Sequence, residues 1–245
     1  MTRAPGGLRE PLLAFAAATV LAAALAAIGV VVPLVGENLH GLIALLFFYT
    51  PAAAARLAGR RFDYREAGLR ADPVRLNLAV VGAFAAVTLP PFVVGFFLFY
   101  GRVCAPPVTA LTRLWAGLCR HWLGFSGGHL RFPPRFALTA LVQLVVVAIP
   151  EELFFRGYLM ERLERVWAPR RRLLGAPVGL ALLASSALFA LGHLIVIPNP
   201  QRLAVFFPAL VFGWMRARTG SIAAGAVFHA LCNLAADVLH TSWFG

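Results

Sequence analysis

The stretch FALTALVQLVVVAIPEELFFRGYLM, residues 136–160, decides what kind of protein this is. It is long enough to cross a bilayer, which takes about 20 mostly apolar residues. Yet its second half carries Glu151, Glu152 and Arg156. An ionisable group in mid-membrane costs about 2.5–3.5 kcal/mol on insertion scales, so such groups face a bundle interior and act there. On a helix Glu152 and Arg156 stand one turn apart and can pair. Glu151 is rotated by about 100° from Glu152 and is left to face another helix. Pro150 removes a backbone hydrogen bond and favours a kink or a helix restart. A restart puts both glutamates in a first turn, where the helix dipole favours anions.

The rest of the chain has the same character. Of its 245 residues, 60% are apolar and 13% charged, and the mean hydropathy is +0.80. A soluble domain is about 45–50% apolar and about 25% charged. This excludes a soluble enzyme, a disordered chain and a disulfide-stapled secreted module, and leaves a polytopic membrane protein. The expected fold class is all-α: a polytopic transmembrane helix bundle of about seven (six to eight) spanning helices. The spans read as 11–35, 39–58, 76–101, 136–160, 177–197, 203–217 and 219–240, the last two forming a tight helical hairpin. Residues 1–245 read as a single membrane domain. Within it, 1–135 supply N-terminal spans and an interfacial loop, and 136–240 form the core that carries the polar motifs.

The formal charge is +12, and every basic residue is arginine. With the N-terminus inside, inner segments hold 15 arginines and outer segments 6, with Arg156 left inside a span. That bias puts the N-terminus in the cytoplasm. The expected location is a bacterial inner membrane, integral and multi-pass. The arginines flank apolar blocks and do not interleave with aromatic residues, so the lipid bilayer is an expected partner and nucleic acid is not. The apolar stretch 108–125 reads as an interfacial amphipathic helix. Three cysteines with no CxxC pair indicate neither a disulfide framework nor a thiolate zinc site. Cys232 reads as a small hydrophobe.

Two further spans carry polar groups. Phe189 and His193 lie one turn apart in the fifth, and His229 and Asn233 in the seventh, with Asp237 one turn on and read mainly as interfacial. Each has a plainer reading alone: a helix end at the interface, a hydrogen-bonded core histidine, or hydrogen bonding between spans. Together, two carboxylates, two imidazoles, an amide and a guanidinium from three spans suit a buried hydrolytic pocket. A carboxylate and an imidazole can take a proton from water, and a second imidazole and an amide can stabilise an oxyanion. By residue count, however, Glu151 lies about 14 Å and His193 about 24 Å from the inner ends of their spans. A proton-coupled transporter uses similar groups, but it is expected to show two related halves with broken helices, and none are seen. A non-catalytic scaffold or immunity-type protein is the third reading.

These residues resemble the CPBP family of intramembrane proteases, which includes the Rce1-type CAAX prenyl endopeptidases. Its pattern EExxxR, FxxxH, HxxxN reads here as Glu151-Glu152-x-x-x-Arg156, Phe189-x-x-x-His193 and His229-x-x-x-Asn233. The resemblance implies an intramembrane endopeptidase acting on a membrane-associated protein or peptide near its C-terminus. It implies Glu151 as general base helped by His193, His229 and Asn233 as the oxyanion site, and Glu152 with Arg156 as the orienting pair. No cofactor is expected in the favoured glutamic-type version. In a metalloprotease version, Glu151, His193 and His229 could hold a zinc with one open position, although the HExxH motif is absent.

Overall fold

The computed structural model describes residues 7–105 and 116–244. The described residues form seven main helices: α1 (Arg9–Val31), α2 (Leu39–Leu57), α3 (Val74–Val103), α4 (Phe136–Glu164), α5 (Leu180–Val196), α6 (Phe206–Thr219) and α7 (Ala223–Trp243). The protein is an all-α polytopic membrane protein. Helices α1, α2, α3, α4 and α7 are long and apolar enough to cross a bilayer. With 17 and 14 residues, α5 and α6 are shorter, reaching about 26 Å and about 21 Å at 1.5 Å per residue.

Helix α4 is continuous, so the expected restart at Pro150 does not occur. Instead π-helical stretches, Gln143–Ala148 and Leu153–Met160, flank a short α segment containing Pro150. Proline has no N–H to give to the regular ladder, and widened turns accommodate the loss. Both glutamates therefore sit inside a long helix.

The chain divides into two compact units, Met1–Val81 with Leu144–His229, and Gly82–Gln143 with Ala230–Gly245. In the first, α1 buries Ala14, Ala18 and Ala22, spaced four apart, so backbones can approach closely. Beside them Phe47, Phe154, Phe155, Tyr158 and Phe189 form an aromatic core. Phe47 stacks on Phe154 at 5.1 Å, and Phe155 meets Phe189 edge-on at 4.9 Å. Outward-facing side chains are apolar as well, for example Val30, Val31, Leu34 and Leu57. That pattern is a liability in water and is the expected lipid-facing surface here.

The arginine-rich end of this unit is closed by the 58–73 segment. Ile222 donates its backbone N–H to Gly68 at 2.9 Å, and the Ser221 hydroxyl donates to Arg70 O. The expected hairpin of α6 and α7 turns on Gly220, whose φ of 71° is the left-handed cap that glycine favours. A two-stranded hairpin, Arg171–Leu173 with Ala176–Val178, was not anticipated. Its two-residue turn has positive φ at Leu174 and Gly175, and Trp214 Nε1 donates to Leu173 O at 2.8 Å.

In the second unit Phe96 and Tyr100 of α3 pack with Trp122, His240 and Phe244. The Ser242 hydroxyl accepts from the Arg131 N–H at 2.8 Å. Cys104 and Cys119 form a disulfide. That corrects the reading of the cysteines: fifteen residues apart, they show no motif, and only folding brings them together. Of the expected interfacial helix at 108–125, residues 108–115 lie outside the described residues. The remainder holds a 3₁₀ turn, Ala116–Cys119, and a one-turn helix that begins at Gly124, so no continuous helix runs through it.

Gly157 is where α4 meets the 58–73 segment: a Cβ there would lie 2.7 Å from Ala67 O, a backbone atom that cannot step aside alone. Gly157→Ala is expected to destabilise the protein by about 1–3 kcal/mol, read as a lower thermal midpoint of the purified chain in neutral detergent.

Candidate active site

Glu152 is fully buried in α4, and a carboxylate there requires partners. It has two. Arg156 Nη1 lies 3.2 Å from Oε1, one helical turn on, as the spacing predicts. His229 Nδ1 lies 3.2 Å from the same oxygen. Because a carboxylate only accepts, the imidazole donates its Nδ1–H. Arg156 is itself buried. It donates through Nη2 to Ala209 O at 3.2 Å, and its guanidinium lies over the Phe189 ring at 4.4 Å and the Phe212 ring at 5.4 Å. Phe212 also stacks flat against the His229 ring at 4.7 Å. Helix α7 comes this close because residue 225 is glycine: a Cβ there would meet Glu152 Oε2 at 3.0 Å.

Glu151 faces a different direction, as the helical rotation requires. Its Oε2 lies 3.9 Å from His193 Nε2 and 3.8 Å from His229 Nε2. Both distances exceed a direct hydrogen bond. The oxygen is enclosed and has no hydrogen-bond donor among the described residues. His193 Nδ1 lies 2.9 Å from Phe189 O. A carbonyl also only accepts, so this nitrogen carries the proton, and a neutral His193 turns a lone pair at Nε2 towards Glu151. The FxxxH spacing thus does two things: the Phe189 carbonyl sets the His193 tautomer, and its ring supports Arg156.

The mismatch in depth disappears with the observed helix ends. Glu151 lies 13 residues from Glu164 (164 − 151), and His193 lies 13 residues from Leu180 (193 − 180). Each is about 20 Å along its helix at 1.5 Å per residue. The span limits expected from hydropathy alone ended α4 four residues early and began α5 three residues early.

Five of the six expected site residues, Glu151, Glu152, Arg156, His193 and His229, therefore converge in the first unit. Asn233, one turn beyond His229 on α7, falls in the second. There its Nδ2 donates to Gln143 Oε1 at 2.9 Å, and Gln143 Nε2 donates to Asp237 Oδ2 at 3.0 Å. Asp237, expected mainly at the interface, terminates this chain. Since the carboxylate cannot donate, it dictates which way both amides face. Gln143 was missed in the sequence; its signal is a lone amide in the apolar half of α4. Among the described residues, no three His, Cys, Asp or Glu side chains are arranged to hold a metal ion.

Residues 133–235 match the model of the Type II CAAX prenyl endopeptidase Rce1-like family. Over this part of the chain, less than half of its length, it is similar to that family. Rce1-like proteins are proteases, so the similarity supports a protein-cleaving hydrolase, and the apolar helices support a membrane setting. No curated protein and no solved structure matches the chain. The matched residues contain all three polar motifs of the Rce1-like pattern.

Removing Arg156 leaves Glu152 buried beside His229 alone. Arg156→Ala is expected to cost about 3–5 kcal/mol. Glu152→Gln combined with Arg156→Met removes both charges and is expected to recover part of that loss, measured by thermal unfolding of the two proteins in the same detergent.

Proposed function

We propose that this Rce1-like protein is an intramembrane endopeptidase of the glutamic type, cutting a membrane-associated protein near its C-terminus. The observation that carries the reading is the convergence of His193 Nε2 and His229 Nε2 on one unbonded oxygen of Glu151. Glu151 takes a proton from water as the water oxygen bonds to the scissile carbonyl carbon. The carbonyl π electrons move to oxygen, giving a tetrahedral oxyanion. Collapse of that intermediate breaks the C–N bond, and the proton held by Glu151 passes to the departing amine. His193, with its lone pair at Nε2, assists proton removal.

His229 has already given its Nδ1–H to Glu152, so only its doubly protonated form has an Nε2–H to offer an oxyanion. The Glu152 carboxylate, held by Arg156, is positioned to stabilise that cation. This assigns the two histidines opposite duties, and it makes Glu152 and Arg156 positioning residues. Asn233 lies in the second unit with Gln143 and is given no part in these steps. No step requires a metal. In the zinc alternative, Glu151, His193 and His229 would be the ligands, and the metal would supply an activated water.

The N-terminus is assigned to the cytoplasm of a bacterial inner membrane. Two independent features support the orientation: the arginine excess of the inner segments, and the Cys104–Cys119 disulfide in an outer one, since disulfides persist in oxidising compartments. For a bacterial host, a C-terminal sorting tail or membrane anchor is the favoured substrate over a prenylated CAAX protein.

The test compares protein C-termini by quantitative proteomics in cells carrying wild type, Glu151→Gln, or no gene. New termini are expected in wild type alone, and His193→Ala and His229→Ala should behave like Glu151→Gln. Purified enzyme acting on the substrate so found should lose about 10²–10⁴-fold in rate with Glu151→Gln and keep its activity in strong chelator. Full activity in Glu151→Gln overturns the glutamic assignment. Loss on chelation with rescue by zinc transfers the reading to the metalloprotease.

A further inference from the structure

Far along the chain from the polar motifs, the end of α2 and the segment after it line an open cleft of about 840 Å³. It is lined by Ala52, Arg56, Arg60, Arg61, Phe62, Asp63, Tyr64 and Arg65. Four guanidinium groups thus face one carboxylate. That carboxylate is already engaged, because Asp63 Oδ1 accepts the backbone N–H groups of Arg65 and Glu66 at 2.8 and 3.0 Å. Arg60 is paired with Glu10, and Arg65 stands 3.8 Å from Asp72. Arg56 and Arg61 are exposed and have no ion-pair partner among the described residues. Burial pushes the Tyr64 hydroxyl above its ordinary range, so it adds no negative charge. The cleft has an excess of positive charge and calls for an anion.

Its position says which anion. Arg56 closes the last turn of a membrane-crossing helix, so the cleft opens at the level where lipid headgroups lie. On α2, residues 45, 49, 52 and 56 recur at helical spacing and form one stripe. Leu45 and Tyr49 are exposed on it, while Ala52 and Arg56 line the cleft. The stripe offers an apolar track leading to a basic mouth, with the small Ala52 at the junction. A free inorganic anion would use the arginines and leave the track idle. An anionic phospholipid uses both: its acyl chain lies along Leu45 and Tyr49, and its phosphodiester reaches Arg56 and Arg61. Arginine suits this role because its planar fork matches phosphate oxygens, and basic pockets beside membrane helices are recognised sites for such headgroups.

We infer that this cleft is a binding site for the phosphodiester headgroup of an anionic lipid, separate from the carboxylate–histidine centre. The full-length chain in neutral detergent is titrated with dioctanoyl phosphatidylglycerol, with dioctanoyl phosphatidylcholine, and with inorganic phosphate, and its thermal midpoint is read. Phosphatidylglycerol alone should raise the midpoint saturably. Arg56→Gln combined with Arg61→Gln should raise the half-saturating concentration about 30-fold. Arg171→Gln with Arg172→Gln, which removes the same charge from exposed positions outside the cleft, should leave it unchanged. Midpoints measured in phosphatidylcholine check that both variants fold. An equal response to phosphatidylcholine, a response to phosphate at the same concentrations, or equal losses in the two double variants would each overturn the assignment.

Discussion

A carboxylate sealed inside a membrane protein organises this fold. Glu152 has no access to solvent, and an isolated charge in such a medium is too costly to persist. Its partners therefore come from its own helix and from α7, through Arg156 and His229. The arginine, buried in turn, draws on the Ala209 carbonyl and Phe212 ring of α6 and the Phe189 ring of α5. Four helices are thus tied to one charge. The arrangement also leaves Glu151 as the neighbour that Arg156 does not pair with.

The bilayer reverses the usual logic of stability for the remainder of the molecule. Apolar side chains point outward as readily as inward, so excluding water from a core cannot hold the helices together. Close packing of the buried alanines of α1, aromatic contacts around Phe155, and hydrogen bonds at the arginine-rich end do that work. The same end carries more positive charge than the carboxylates near it neutralise. A surface of that kind is matched by anionic lipid, and the cleft beside Arg56 gives the match a defined place.

Much of this was legible in the sequence because the membrane imposes simple rules. Length and hydropathy located each helix to within a few residues, and ionisable groups inside apolar runs stood out as costly exceptions. The helical period already separated Glu151 from the Glu152–Arg156 pair. The arginine bias ordered the segments. What hydropathy could not supply was the true helix ends, which is why Glu151 and His193 seemed to lie at different depths. Of the kink or restart expected at Pro150, the restart does not occur because a helix can lose one hydrogen bond by widening its turns, a choice that depends on neighbours and not on the proline.

The sequence by itself determined that this is a membrane-embedded helical protein with EExxxR, FxxxH and HxxxN on separate helices, because spacing along a helix is a local property. Only the tertiary structure decided the partners: which histidine receives Glu152, that both Nε2 atoms face one oxygen of Glu151, that Gln143 links Asn233 to Asp237, and that Cys104 meets Cys119. Each of these joins residues far apart in the chain, and no local pattern encodes a distance that arises only when helices pack.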